Sequence, residues 1–245
     1  MIKREPLMSE QYFVQRIDQI SSFIEQTKQD LKLPEGEVYL DAVYHDLYLD
    51  NCKLLTAQYS AGVEVSKLTE TLCQAIEALV NYKAHPDATN LFFIGSVDEY
   101  MNVLAMLTWG ITLPIEQNQF AQLVQCIDQE NKRDALIDML IAHRISDRKI
   151  SQDIYLPKLY TPLYKAALNK SDKQMADFLA QWYSVCVKKT ANYEIYTLHG
   201  GDDSGFNGYW AWEVAGMTYA LGIDDSVYQS FRYYPTDLVR FARHQ

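Results

Sequence analysis

Long apolar runs are absent from this sequence of 245 residues. No apolar run approaches the roughly 18 residues that a membrane-spanning helix requires, so we expect no membrane partner. The N-terminal sequence MIKREPLMSEQYF has basic residues but no apolar segment behind them, which argues against a secretory signal. These two absences predict a protein that works in the cytoplasm.

Closely spaced cysteines are absent as well. The four cysteines stand singly in the sequence, without a CxxC motif, at Cys52, Cys73, Cys126 and Cys186. Each lies in an apolar, helix-like context. We therefore expect reduced thiols in the core rather than disulfides or metal ligands.

Basic residues are missing from two long stretches. The net charge is −10, and neither Ala84 to Asn131 nor Thr190 to Phe231 contains a lysine or an arginine. Such a chain is poorly suited to nucleic acid, because duplex binding depends on Lys and Arg that neutralise phosphates. A strongly negative face would attract a basic partner. From composition alone, solubility is the simpler explanation.

Known catalytic motifs are also absent: the sequence contains no GxSxG, SxxK or HExxH. The pair His45-Asp46 is typical of helical metal-dependent phosphohydrolases, but no histidine precedes it to complete the ligand set. The segment HGGDDSG (199–205) lacks the lysine of a phosphate loop and the alternating ligands of an EF-hand. We predict no catalytic residue, no metal site and no cofactor. A metal-dependent all-helical hydrolase that uses the Asp pairs or His45 stays open as the alternative.

The pattern that is present is helical. Apolar residues recur with a period of three to four along most of the chain, which predicts an all-α bundle of nine or ten helices. An acidic-to-basic change near Asn131 suggests two helical domains, 1–130 and 131–245. Predicted caps are Ser9, Ser66 and the capping boxes Ser96–Glu99 and Ser171–Gln174, and predicted helix ends are Gly62, Gly110 and Gly222. Residues 190–208 are predicted to be a loop, with one short strand at 193–198.

An aromatic run, YWAWE (209–213), places Glu213 among large rings. In a helix bundle most such rings belong to the core. We expect Glu213 to be a buried or boundary carboxylate, paired with one of the late arginines, rather than an acid catalyst.

The segment GYWAWEVAGMTYALGIDDSVYQSFRYYPTDLVRFAR (208–243) resembles the C-terminal domain of PoNi-type proteins, the immunity partners of polymorphic nuclease toxins. Near the N-terminus, Arg4, EQYFVQRIDQI and LLTAQYSAG (54–62) are similar to the same family. The motif residues, which the resemblance implies are structural, are Tyr209, Trp210, Glu213, Asp224, Asp225, Ser226, Tyr234, Pro235 and Asp237.

The resemblance implies an all-helical fold and tight binding to a cognate nuclease toxin, most simply a DNase delivered by type VI secretion. We expect the protein to occlude the toxin's basic cleft and not to bind nucleic acid itself; a homodimer is compatible with the sequence. A helical scaffold or regulator without a toxin partner is the remaining alternative. Because family motifs mark the shared fold, we place toxin contacts in the basic-free regions, at Asp202, Asp203, Asp98, Glu99, Glu194 and Tyr196.

Overall fold

The computed structural model describes residues 2–34, 39–88, 97–187, 199 and 205–245. Within these ranges the chain forms ten α-helices and no strand, which confirms the all-α prediction. The helices are α1 Glu10–Asp30, α2 Leu40–Ala61, α3 Leu68–Ala84, α4 Val97–Thr112, α5 Gln117–Asp128, α6 Ala135–Ala142, α7 Pro157–Leu168, α8 Asp172–Trp182, α9 Trp212–Leu221 and α10 Thr236–Arg243. A 3-10 turn precedes α3, and a π-helical turn, Tyr183–Val187, continues α8.

The helices pack into two compact units. Unit 1 comprises the described residues of Met1–Asn90, Ile115–Cys126 and Leu198–Gly208, and unit 2 comprises those of Leu91–Pro114, Ile127–Thr197 and Tyr209–Gln245. Unit 1 therefore contains α1, α2, α3 and most of α5. Unit 2 contains α4 and α6 to α10.

Unit 1 is built on α2, which packs against both α1 and α3. Helix α1 begins as predicted, because the Ser9 hydroxyl accepts a hydrogen bond from the backbone N–H of Tyr12 (3.0 Å). Helix α2 ends at Gly62, also as predicted, with a left-handed φ of 88°. A Cβ at Gly62 would lie 2.2 Å from the carbonyl oxygen of Ile2. Both the left-handed backbone and this close approach therefore require glycine at position 62.

The predicted cap at Ser66 is wrong. Ser66 lies inside the 3-10 turn Val65–Lys67, and its hydroxyl donates to Glu64 Oε1 (2.8 Å) instead of capping α3. A capping side chain needs an extended backbone at the residue before the helix. Here that residue is Lys67, which is already helical, with φ −75° and ψ −13°.

Unit 2 is centred on α4, which packs against α9 and α6. The predicted helix end at Gly110 is wrong, because α4 continues to Thr112. Gly110 is buried, and its carbonyl accepts a hydrogen bond from Arg144 Nη1 (2.9 Å). Where α4 meets α9, a Cβ on Gly216 would lie 2.3 Å from Thr108 Oγ1, so the helices approach closely at this point.

The other helix ends in unit 2 follow the sequence. The Ser171 hydroxyl caps α8 through the backbone N–H of Gln174 (3.3 Å), and Gly222 ends α9 with φ 65°. The other half of the predicted capping box is wrong, because the Ser171 N–H donates to the Ala166 carbonyl (3.0 Å) and Gln174 Oε1 accepts from Asn169 Nδ2 (3.0 Å). Helix α7 starts at Pro157 and remains one helix despite Pro162. Ser96 and residues 190–198 lie outside the described residues, as does most of the predicted 190–208 loop. Among the helices that the structure describes, none combines the length and the apolarity needed to cross a membrane.

Candidate functional site

Glu213 lies in the first turn of α9 and is 2% exposed. Its Oε1 accepts a hydrogen bond from Trp182 Nε1 at 2.7 Å and a longer one from the Tyr160 hydroxyl at 3.5 Å. Both donors are neutral groups, so the predicted arginine partner is wrong. The late arginine Arg243 binds a different carboxylate, that of Asp225.

Burial is the largest influence on Glu213. It raises the pKa of this carboxyl to about 7, although the hydrogen bonds from the backbone, Trp182 and Tyr160 act in the opposite direction. The Tyr160 hydroxyl and the Cys186 thiol are buried beside it, and their pKa values are also raised, mainly by desolvation. The aromatic core thus holds a carboxyl group whose pKa is close to neutral pH.

The adjacent carboxylates of Asp224 and Asp225 have different surroundings. Asp224 is exposed and closes a turn: its oxygens accept from the backbone N–H of Ser226 (3.0 Å) and from the Ser226 hydroxyl (2.9 Å). Those two bonds hold the pKa of Asp224 below its usual value. Asp225 is buried and accepts from Tyr234 Oη (2.8 Å) and Arg243 Nη1 (2.6 Å). The pair therefore combines a surface turn with an internal anchor for α10.

The remaining motif residues also make contacts within unit 2. Tyr209, Trp210 and Pro235 are buried, and the ring of Tyr209 packs edge-on against Tyr183, with centroids 5.2 Å apart. Asp237, in the first turn of α10, accepts from Arg240 (3.4 Å). Six of the nine motif residues are thus buried in unit 2, whereas Asp224 and Ser226 are exposed and Asp237 is half-buried. The structural role of the motif stays a prediction.

A buried charge cluster in unit 2 escaped the sequence analysis. The fully buried Asp138 accepts from Arg148 Nε (2.7 Å), from Arg133 Nη2 (2.9 Å) and from the Ser151 N–H (2.9 Å), and Arg148 also makes a bidentate pair with Asp128 at 2.7 Å. The basic stretch Lys132 to Lys149 is therefore partly internal. In the sequence, Asp134 and Asp138 stand among these basic residues, and this mixture of charges was the sign that some of them form internal ion pairs.

Asp134 is the second buried carboxylate of this region. It caps α6 through the backbone N–H groups of Leu136 (2.9 Å) and Ile137 (3.0 Å), and it accepts from the Tyr100 hydroxyl (2.9 Å). Burial raises the pKa of Asp134 against the effect of these bonds.

The predicted toxin contacts lie in two places. Asp98 and Glu99 are half-buried in the first turn of α4, where the helix dipole favours negative charge. Asp202, Asp203, Glu194 and Tyr196 lie outside the described residues. Only Asp98 and Glu99 are therefore seen together, and the contact role of all six residues stays a prediction.

A groove in unit 2 runs between α7 and α8 and has a volume of about 640 Å³. Six of its twelve lining residues are apolar, and the six polar ones include two lysines and one aspartate. The lining residues are Pro157, Lys158, Leu159, Thr161, Pro162, Lys165, Gln174, Asp177, Phe178, Gln181, Trp182 and Val185. In the described parts of the chain, no group of three His, Cys, Asp or Glu side chains is arranged to hold a metal ion.

These features define an all-α protein whose helices enclose buried carboxylate clusters. The crystal structure of protein PA2201 from Pseudomonas aeruginosa shares this fold, with a TM-score of 0.76, 18% sequence identity, and coverage of 99% of this chain and 91% of that chain. No curated protein matches the sequence.

Two family matches then cover almost the whole chain. Residues 4–125 match the N-terminal domain described as PoNe immunity protein (PoNi), and residues 132–238 match the C-terminal domain of PoNe immunity proteins. The chain belongs to the PoNe immunity protein family, as the sequence motifs predicted. It is an immunity protein for a nuclease toxin, and this family favours a binding protein over the hydrolase and scaffold alternatives.

Proposed function

We propose that this protein neutralises a cognate DNase, delivered by type VI secretion, by binding it stoichiometrically in the cytoplasm and occluding its DNA-binding cleft. The observation that carries this proposal is the charge distribution: the net charge is −10, and two long stretches have no basic residue. A nuclease that grips DNA presents lysines and arginines to phosphates. An acidic inhibitor is complementary to such a cleft, and the long-range attraction speeds capture.

Exposed carboxylates in unit 1 support this proposal. Helix α3 exposes Glu70 and Glu77, which lie seven residues apart and therefore on the same helix face. Neither forms an ion pair within the described residues. They join Asp98, Glu99, Asp202 and Asp203 as candidate contacts for a basic toxin surface.

The decisive experiment is titration of purified toxin with this protein in a DNA-cleavage assay. We expect cleavage to stop at an equimolar ratio, because occlusion consumes one inhibitor for each toxin. Binding measured by calorimetry should weaken steeply as salt rises. If no complex forms with the toxin at low salt, the proposal fails. Inhibition at a small fraction of equimolar would instead indicate an enzymatic mechanism.

Charge reversal separates the site assignment from the function. The variants Asp202→Lys/Asp203→Lys and Glu70→Lys/Glu77→Lys should slow association, with Asp147→Lys, an exposed carboxylate in the basic Lys132 to Lys149 stretch, as the control. Unchanged association would remove those residues from the interface while leaving the inhibition intact. The delivery route is tested by competition: cells lacking this protein should be killed by attackers with an active type VI apparatus and survive attackers without it.

A further inference from the structure

The groove between α7 and α8 is preformed and has an aromatic floor. Phe178 and Trp182 lie at its base and are 7% and 2% exposed. The indole of Trp182 is held in place from below by its hydrogen bond to Glu213. The volume of about 640 Å³ falls within the usual range of binding clefts. A rigid floor of this kind loses little conformational freedom when an apolar group binds.

The α7 wall of the groove is positively charged. Lys158 and Lys165 both line it and are exposed, and within the described residues neither forms an ion pair. They are two helical turns apart, roughly 10 Å along the helix axis. Asp177, on α8, is the carboxylate in the lining. The groove therefore has the opposite charge to the protein as a whole.

A proline inside α7 also lines this wall. Pro162 lies inside α7 and lines the groove. Because proline has no N–H, the carbonyl of Lys158 lacks the donor that residue i+4 normally supplies.

We propose that the groove is a second docking site for the toxin, and that it receives an acidic segment carrying a large apolar side chain. The apolar side chain packs on Phe178 and Trp182, and its flanking carboxylates pair with Lys158 and Lys165. This inference rests on the proposed function, since it assigns a further contact to the same partner. A second copy of this chain fits less well, because copies with a net charge of −10 repel each other.

Two contacts of opposite sign would make recognition directional. The acidic surface attracts the toxin's basic cleft, whereas the groove accepts an acidic segment elsewhere on the toxin. A toxin with a basic residue in that segment would face Lys158 and Lys165, and this like-charge contact would reject it. The groove thus discriminates among toxins whose DNA-binding clefts are all basic.

The test uses matched charge reversals on one helical hairpin. Lys158→Glu/Lys165→Glu changes the groove, and Lys170→Glu/Lys173→Glu makes the same charge change at exposed positions outside its lining. The probe is a catalytically inactive form of the cognate toxin, with affinity measured by calorimetry at fixed salt. We expect the groove variant to bind at least about tenfold more weakly and the control to stay within about twofold of the wild type.

A steric variant provides an independent measurement. Thr161→Trp, at a half-buried lining position, places a large ring in the groove without changing charge and should weaken binding by a similar factor. Thermal unfolding of each variant verifies that unit 2 is folded. Affinities for both groove variants that equal the control would overturn the inference while leaving the proposed function standing. Absence of any complex with the wild type would overturn the proposed function itself.

Light scattering of the protein alone tests whether a second copy of this chain, rather than the toxin, occupies the groove. We expect a mass that is the same for the wild type and for Lys158→Glu/Lys165→Glu. A wild-type dimer that this variant dissociates would show that a second copy occupies the groove, and the assignment to the toxin would then fall.

Discussion

Trp182 donates its indole N–H to Glu213 across 2.7 Å, although the two residues are 31 positions apart and both are buried. Among the residues that the structure describes, no cation takes part in this contact. The groups facing Glu213 are the Tyr160 hydroxyl on α7, the Cys186 thiol of the π turn and, further away, the Tyr100 hydroxyl on α4. A carboxyl in such surroundings favours its neutral form in the folded protein.

Glu213→Gln should stabilise the protein increasingly as pH rises. The folded pKa of Glu213, about 7, lies above its ordinary value of 4.5. The folded state therefore binds a proton that the unfolded state releases between these values, and wild-type stability falls as pH rises through that window. Glutamine lacks this penalty, so the variant should gain roughly 3 kcal/mol relative to the wild type between about pH 4.5 and pH 8.

Urea unfolding at several pH values measures this difference. Asp134 titrates in both proteins, because burial raises its pKa in the same way. Subtracting the two curves therefore isolates Glu213. A free-energy difference that does not change with pH would show that Glu213 stays ionised in the folded state.

Asp225→Asn should destabilise unit 2, whereas Asp224→Asn should have little effect. Asp225 is buried against Arg243 and Tyr234, and the amide would weaken both contacts at a cost of about 2 kcal/mol. Asp224 is exposed, and asparagine also forms turns of this type. Thermal unfolding compares the two neighbours directly. Equal melting temperatures for both variants would contradict the anchoring role of Asp225.

Gly216→Ala should lower stability by about 2 kcal/mol, because the added methyl group overlaps Thr108. Its Cβ would lie 2.3 Å from Thr108 Oγ1 and 2.8 Å from Leu140 Cδ2. Thr108→Ala removes the closer atom, so the double variant should lose less than the sum of the two single losses. A double-mutant cycle of chemical denaturation tests this coupling. Additive losses would mean that the two helices do not meet at these side chains.

Asp138→Asn should be the most damaging of these changes. It leaves Arg148, whose side chain is 11% exposed, without one of its two carboxylates, at a cost of about 3–5 kcal/mol. Arg133→Gln is the matched control from the same cluster: its side chain is 46% exposed, so the loss should be below about 1 kcal/mol. Denaturant midpoints that rank the two variants in the reverse order would refute the cluster as described.

The sequence predicted the helices and several of their ends because these depend on local chemistry. Ser9, Ser171 and Gly222 act within a few residues of their own positions, so spacing alone identified them. Gly110 and Ser66 were misassigned because distant or preceding structure decides their roles: Arg144 satisfies the Gly110 carbonyl, and a 3-10 turn displaces Ser66.

In the candidate site, too, local features were predictable and contacts between helices were not. Burial of Glu213 followed from the aromatic residues around it in the sequence. Its Trp182 partner did not, because that contact depends on how α8 and α9 come together. The groove was equally hidden, since it requires Lys158 and Lys165 on one helix to face Phe178 and Trp182 on the next.

The Asp225–Arg243 pair has a practical consequence for work in living cells. Arg243 also donates to the carbonyl of Ile223 (2.7 Å), and Gln245 donates to the carbonyl of Thr112 (2.9 Å). Arg243 and Gln245 are exposed, but these hydrogen bonds attach both residues to the body of unit 2. A degradation tag or fluorescent reporter fused directly after Gln245 would disturb these contacts, and a loss of protection could then be mistaken for loss of toxin binding. A flexible spacer before any such fusion avoids that confusion.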